Sequence, residues 1–223
     1  MSTPSPTIYI VDDDPGVLKS LARLLRSASL HAVTFTSPET FLESVEPLSA
    51  GCLILDLTMP RLNGLELQEA LSRKNCQLPI IFLTGNGDIP TSVQAMKRGA
   101  IDFLTKPVND QELLTAIQVA FERNRRALAD LAEREELRGR VESLTQREHQ
   151  VFLLVVAGRL NKQIASELGT VEQTVKVHRA RVMEKMKVQS VAELARIAER
   201  LGLGLGLVQP ARPASPADLP EAH

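Results

Sequence analysis

Five short apolar runs, rich in β-branched residues, lie at 8–11, 31–35, 52–55, 80–83 and 101–104. They alternate with stretches of helical period at 17–28, 38–45, 64–73, 90–98 and from 110 onward. This alternation restricts the chain more than any other feature. Successive parallel strands need a crossover between them, and each helical stretch is long enough to provide one. Repeated βα units therefore predict a parallel sheet with helices packed on it.

Five strands and five helices make an α/β, flavodoxin-like (βα)5 domain the natural architecture. Ligands of such sheets bind at the carboxyl ends of the strands, near the point where strand order reverses. The polar residues at those ends are telling. Asp12 and Asp13 close the first apolar run, Asp56 the third and Thr84 the fourth, while Lys106 follows the fifth. Taken singly, a strand-end Asp is a turn former or a helix cap, and Asp14 before Pro15 fits that role. Taken together, the five groups should converge on one edge of the sheet. Three carboxylates gathered there would repel one another unless a divalent cation balanced them, and hard oxygen ligands suit Mg²⁺. Beside such an ion a carboxylate can attack a phosphoryl group in line, while a lysine and a hydroxyl hold the equatorial oxygens. Asp56 is the expected nucleophile.

Beyond 123 the pattern changes. Residues 111–144 are nearly free of Gly and Pro, interrupted only by Gly139, and predict one long helix or two collinear ones. Its charged, alanine-rich part, 124–143, reads as a helical linker. Leu128, Leu131 and Leu137 are too few for a coiled-coil seam. Four helical patterns follow at 146–157, 162–168, 172–186 and 191–201, so 144–202 should form a small all-α domain. Residues 203–223 turn Gly- and then Pro/Ala-rich and are expected to be disordered.

The formal net charge of −1 gives no global sign of a nucleic-acid partner, but charge is unevenly spread. Between 176 and 187 lie Lys176, Arg179, Arg181, Lys185 and Lys187 against the single acid Glu184. A short helix, Gly169 and this basic helix have helix-turn-helix spacing, with Val175, Val182 and Met186 as the inward stripe. Cys52 and Cys76 lack the spacing of a zinc site or disulfide framework and read as reduced core thiols. With no signal peptide and no long apolar run, the chain is expected in the cytoplasm, without a membrane partner.

These residues also carry a family resemblance. Val11-Asp12-Asp13-Asp14, Leu55-Asp56-Leu57-Thr58-Met59-Pro60 with Asn63-Gly64, Leu83-Thr84-Gly85 and Phe103-Leu104-Thr105-Lys106-Pro107 resemble a response-regulator receiver domain of the FixJ and StyR type. The intervals between Asp13, Asp56, Thr84 and Lys106 agree with that type too. Leu144-Thr145-Gln146-Arg147-Glu148, Gly158, Asn161-Lys162-Gln163-Ile164-Ala165 and Thr174-Val175-Lys176-Val177-His178 are similar to the LuxR/FixJ-type DNA-binding domain.

The resemblance implies a two-component response regulator of the NarL/FixJ family: receiver 1–123, linker 124–143, helix-turn-helix domain 144–202, tail 203–223. It implies a sensor histidine kinase as phosphoryl donor to Asp56. Asp13, Asp56 and the Thr58 carbonyl would contact Mg²⁺, Asp12 would act through water, and Lys106 would hold the phosphoryl oxygens. Thr84 and Phe103 become the switch pair, with a cis bond before Pro107; the Gly-rich composition of 85–90, apart from any resemblance, reads as a mobile segment. Phosphorylated receivers would form homodimers on promoter DNA, with RNA polymerase as a further partner. The recognition helix would read bases through Lys176 and Val177, while Arg179, Arg181 and Lys185 would contact phosphates, with Thr174 also among its DNA contacts. His178 would pack or contact the backbone.

One departure concerns that helix. Thr170-Val171 precede it where the family places an apolar residue and then Ser or Ala, and Val is a poor N-cap. A start one residue earlier, capped by Thr170, is therefore open. Two rival functions remain at this point: a Mg²⁺-dependent phosphohydrolase, for which Thr58 stands where a general acid is needed, and a constitutive DNA-binding protein with the first domain as dimerisation scaffold. Otherwise the receiver would catalyse only its own phosphoryl transfer and dephosphorylation.

Overall fold

The structure is a computed structural model that describes residues 5–85 and 89–203. The chain forms two compact units, Met1–Leu131 and Ala132–His223. The first contains β1 (Thr7–Val11), α1 (Pro15–Ser27), β2 (Ala32–Phe35), α2 (Pro38–Ser44), β3 (Gly51–Asp56), α3 (Gly64–Arg73), β4 (Ile80–Thr84), α4 (Ile89–Lys97) and β5 (Asp102–Thr105), and the start of α5 (Asp110–Glu142). The strands lie in the order β2-β1-β3-β4-β5, every pair parallel. Strand order thus reverses between β1 and β3.

β3 and β4 are buried at every position, as interior strands covered on both faces must be. Alternate residues serve the two faces. Ile8, Ile10, Ile54, Ile81 and Leu83 join Leu21 and Leu25 of α1 and Leu113 and Ile117 of α5 in one core. Leu53, Leu55 and Phe82 join Phe41, Leu67, Leu71 and Ala95 of α2, α3 and α4 in the other. Cys52 is buried in the first core and Cys76 is packed against the second, both free thiols.

Helix starts follow local chemistry. Asp14 Oδ1 accepts the Gly16 N–H at 2.7 Å, so α1 begins at Pro15, ahead of the apolar period that announced it. Asn63 and Glu66 form a reciprocal capping box on α3. Residues 110–142 form one helix straight through Gly139. The expectations for 203–223 and 85–90 fall largely on 204–223 and 86–88, outside the described residues.

The second unit holds the end of α5 and α6 (Gln146–Val156), α7 (Asn161–Glu167), α8 (Glu172–Met186) and α9 (Val191–Arg200). Its core joins Val151, Phe152, Ile164, Val175, Val182, Met186, Leu194 and Ala198, all fully buried. Gly169, at φ +61°, turns the chain between α7 and α8. α8 starts at Glu172 with Val171 at its N-cap and no side-chain cap, so the earlier start capped by Thr170 is corrected. The backbone explains it: the Val171 carbonyl accepts from Thr174 and Val175, while Thr170 donates its N–H back to Ala165 of α7.

Asn124 fastens α5 to the sheet from below. Its Oδ1 accepts the Gly51 N–H at 2.9 Å and its Nδ2 donates to the Gln77 carbonyl at 3.0 Å, with the residue 2% exposed. Replacing it with Ala leaves the buried Gly51 N–H without its partner, a loss worth about 1–3 kcal/mol. Urea unfolding of Asn124→Ala should show the first unit destabilised by at least about 1 kcal/mol; an unchanged midpoint would show that water replaces the amide.

Candidate functional site

Parallel register carries the polar strand ends to one edge. Val11 pairs with Leu55, Asp56 with Leu83 and Thr84 with Thr105, so β1, β3, β4 and β5 end side by side. Asp12 leaves β1 at 1% exposure, Asp56 ends β3 at 5% and Thr84 ends β4 at 1%, whereas Asp13 is exposed. The Lys106 N–H donates to the Thr84 carbonyl at 2.7 Å, and the Lys106–Pro107 bond is cis, as the resemblance implies.

Lys106 Nζ lies 2.6 Å from Asp12 Oδ2 and 2.7 Å from Asp56 Oδ1. The remaining carboxylate oxygens are also held: Asp12 Oδ1 accepts the Asp14 N–H and Asp56 Oδ2 the Thr58 N–H, at 2.9 and 3.0 Å. Burial pushes the Asp56 carboxyl above its ordinary value; Lys106 opposes this, and the Asp12 charge adds to it. For Lys106 burial works against the charge, but hydrogen bonds and charges of Asp12 and Asp56 together raise its pKa. The outcome is a desolvated carboxylate, more basic than an exposed one, with a cation already at one oxygen.

Asp12, Asp13 and Asp56 each offer a carboxylate oxygen, all within 4.8 Å of one another. Three carboxylates against one ammonium leave excess negative charge, so the donor set suits a hard divalent cation. Gly64 keeps the floor of the site close: a Cβ there would stand 2.6 Å from the Asp56 carbonyl oxygen and 2.9 Å from Phe82 Cε1. Phe103 is partly buried, its ring 6.3 Å from that of Phe82. The exposed Thr58 follows Asp56 by two residues in the turn after β3.

The basic helix divides differently from the sequence expectation. Val175, Val182 and Met186 are buried as expected, and Lys176, Val177 and Arg181 are exposed, with Thr174 partly buried. Lys176 makes an exposed ion pair with Glu172 at 3.7 Å. Arg179 donates to Asn161 Oδ1 on α7 at 3.0 Å. Lys185 Nζ is 2.6 Å from Glu148 Oε2 and 2.9 Å from the Ser143 carbonyl. These two cations therefore tie the domain together. His178 is partly buried, with its Nδ1 unbonded.

Glu148 was missed by reasoning from charge runs, although its signal was present: Thr145-x-x-Glu148 is a capping box, and both of its hydrogen bonds form. Glu148 is 2% exposed. The Lys185 hydrogen bond, then that of the Thr145 N–H, hold its pKa at about 2 against the penalty of burial.

The first unit thus has a flavodoxin-like parallel sheet with an acidic strand edge, and the second is a helix-turn-helix. Comparison with known proteins agrees. Residues 8–118 match the response regulator receiver domain, and residues 142–198 match the LuxR family of bacterial regulatory proteins. The response regulator TmoT of Ectopseudomonas mendocina is 48% identical over 201 residues, covering 90% of this chain and 91% of that protein. The transcriptional regulatory protein FixJ of Rhizobium meliloti is 42% identical, covering 89% and 97%. The solved structure of the response regulator StyR aligns with a TM-score of 0.77 at 46% identity, covering 88% of this chain and 99% of that one. Full-length FixJ from B. japonicum aligns at 0.55 and 40% identity, covering 90% and 99%. The chain belongs to the two-component response regulators of the NarL/FixJ family, transcriptional regulators with a LuxR-type DNA-binding domain.

Because the Glu148 pKa is depressed when folded, its contribution to stability is fully present above its ordinary value near 4.5 and is lost as pH falls toward about 2. The thermal midpoint of the second unit should therefore be higher in the natural chain than in Glu148→Gln at pH 6, with the gap closing between about pH 5 and 2. A gap independent of pH would mean that Glu148 acts by shape alone.

Proposed function

We propose that Asp56 is the phosphoacceptor of a phosphorylation-gated transcription factor, with a sensor histidine kinase as donor. The observation that supports this most is the Lys106 ammonium spanning Asp12 and Asp56 at 2.6 and 2.7 Å. An oxygen of the Asp56 carboxylate attacks phosphorus, and the donor's bond to phosphorus breaks with its electron pair leaving on the donor. Lys106 follows the negative charge onto the phosphoryl oxygens, and Thr84 at the end of β4 donates its hydroxyl to one of them. Asp12, Asp13, Asp56 and the Thr58 carbonyl are the groups that would hold Mg²⁺. When bound, Mg²⁺ neutralises the carboxylates and polarises the phosphoryl group.

The new acceptor oxygens draw Thr84 inward, and Phe103 rotates into the space it leaves. This reshapes the face of α4 and β5, through which phosphorylated receivers form a homodimer. Pairing sets two DNA domains on half-sites about 34 Å apart, one helical turn of DNA. Lys176 and Val177 read base edges, Thr174 and Arg181 contact the DNA beside them, and Arg179 and Lys185 reach phosphates only by giving up their present partners. Residues 124–143 act as the helical linker between receiver 1–123 and DNA-binding domain 144–202. Promoter-bound dimers meet RNA polymerase in the cytoplasm. The closest part of this scheme to enzymology is the receiver's own phosphoryl transfer and dephosphorylation.

Light scattering of the full chain with a small acyl phosphodonor and Mg²⁺ should show dimers, and Asp56→Asn should remain monomeric under the same conditions. Dimerisation of Asp56→Asn to the same extent would remove Asp56 as the trigger.

A further inference from the structure

The outward face of α8 contains a residue that neither the sequence motifs nor the charge pattern singled out. Val175, Val182 and Met186 are fully buried and define the inward stripe. At about 100° per residue, the opposite stripe runs through Gln173, Val177 and Ala180. All three are exposed, Val177 at 44%. Gln173 stands in the first turn of α8, and the N-terminal turns of a recognition helix are those that meet base edges. Gln173 is exposed, and among the described residues its amide makes no hydrogen bond. Arg179 and Lys185, by contrast, are held by Asn161 and by Glu148 with Ser143.

We propose that Gln173 is a specificity-determining residue that selects adenine at one position of each half-site. The inference rests on the DNA-reading role of α8 argued above. A glutamine amide matches the major-groove edge of adenine, donating from Nε2 to N7 and accepting at Oε1 from the N6 amino group. No other base offers that donor and acceptor pair in that arrangement. Lys176 and Val177, three and four residues further along, read neighbouring positions. A lysine favours the guanine acceptors and a valine the thymine methyl group, so the three contacts predict different bases.

The test is selection from random-sequence DNA by the full chain with phosphodonor and Mg²⁺. The natural chain should enrich a site with adenine at one position per half-site. Gln173→Ala should lower that preference by about fivefold or more, the lower end for one bidentate base contact, and leave the other positions unchanged. Gln173→Lys should move the preference at the same position from adenine to guanine, a gain that misfolding cannot produce. Lys176→Ala serves as the comparison and should alter a different position. The assignment is overturned if both Gln173 variants select the natural site unchanged, or if the adenine position responds to Lys176→Ala instead. Failure of the natural chain to enrich any sequence would overturn the DNA-reading role itself, and Gln173 with it.

Discussion

Two carboxylates buried side by side require a counter-charge, and the Lys106 ammonium between Asp12 and Asp56 supplies it at 2.6 and 2.7 Å. The surrounding fold makes this contact possible. Parallel strands that end in register bring residues far apart in sequence to one edge, and the reversal of strand order between β1 and β3 opens the crevice there. Removing the lysine would leave Asp12 and Asp56, at 1% and 5% exposure, facing each other uncompensated. The site is therefore held ready, its charge imbalance offset by one cation from the protein and suited to a second from solution. Phosphorylation would change the charge at this point more than anywhere else in the domain.

The DNA-binding domain contains a related arrangement used for another end. Glu148, 2% exposed, caps α6 and holds Lys185 of α8, so one carboxylate links these two helices. Arg179 similarly connects α8 with Asn161 at the start of α7. With these cations engaged inside the domain, the exposed residues of α8 include Gln173, Lys176, Val177, Ala180 and Arg181, together with the acids Glu172 and Glu184. Positive charge in the helix sequence consequently overstates the charge available to phosphates.

The strands were legible because short, continuous apolar runs separate clearly from helical stretches, and the acidic edge because strand ends of a parallel sheet must converge. The inward stripe of α8 was equally visible from Val175, Val182 and Met186. Partnerships across long sequence intervals were not. Lys185 and Glu148 are 37 residues apart, and nothing in a local charge count says that one will neutralise the other. Asn124 stands at the head of a charged stretch that reads as linker, yet it is buried against Gly51 and Gln77, because only the folded sheet presents those backbone groups to it. At Val171 the rule for N-caps pointed one residue early, and backbone hydrogen bonds of the turn prevailed over side-chain preference.

The central claim is that one carboxylate among three neighbours becomes phosphorylated. The most direct measurement treats the full chain with an acyl phosphodonor and Mg²⁺, reduces the acyl phosphate with borohydride, and locates the resulting homoserine by peptide mass spectrometry. The account predicts conversion at Asp56, with Asp12 and Asp13 unmodified. Conversion at Asp12, Asp13 or another carboxylate, or none under conditions that modify a known receiver domain, would contradict it.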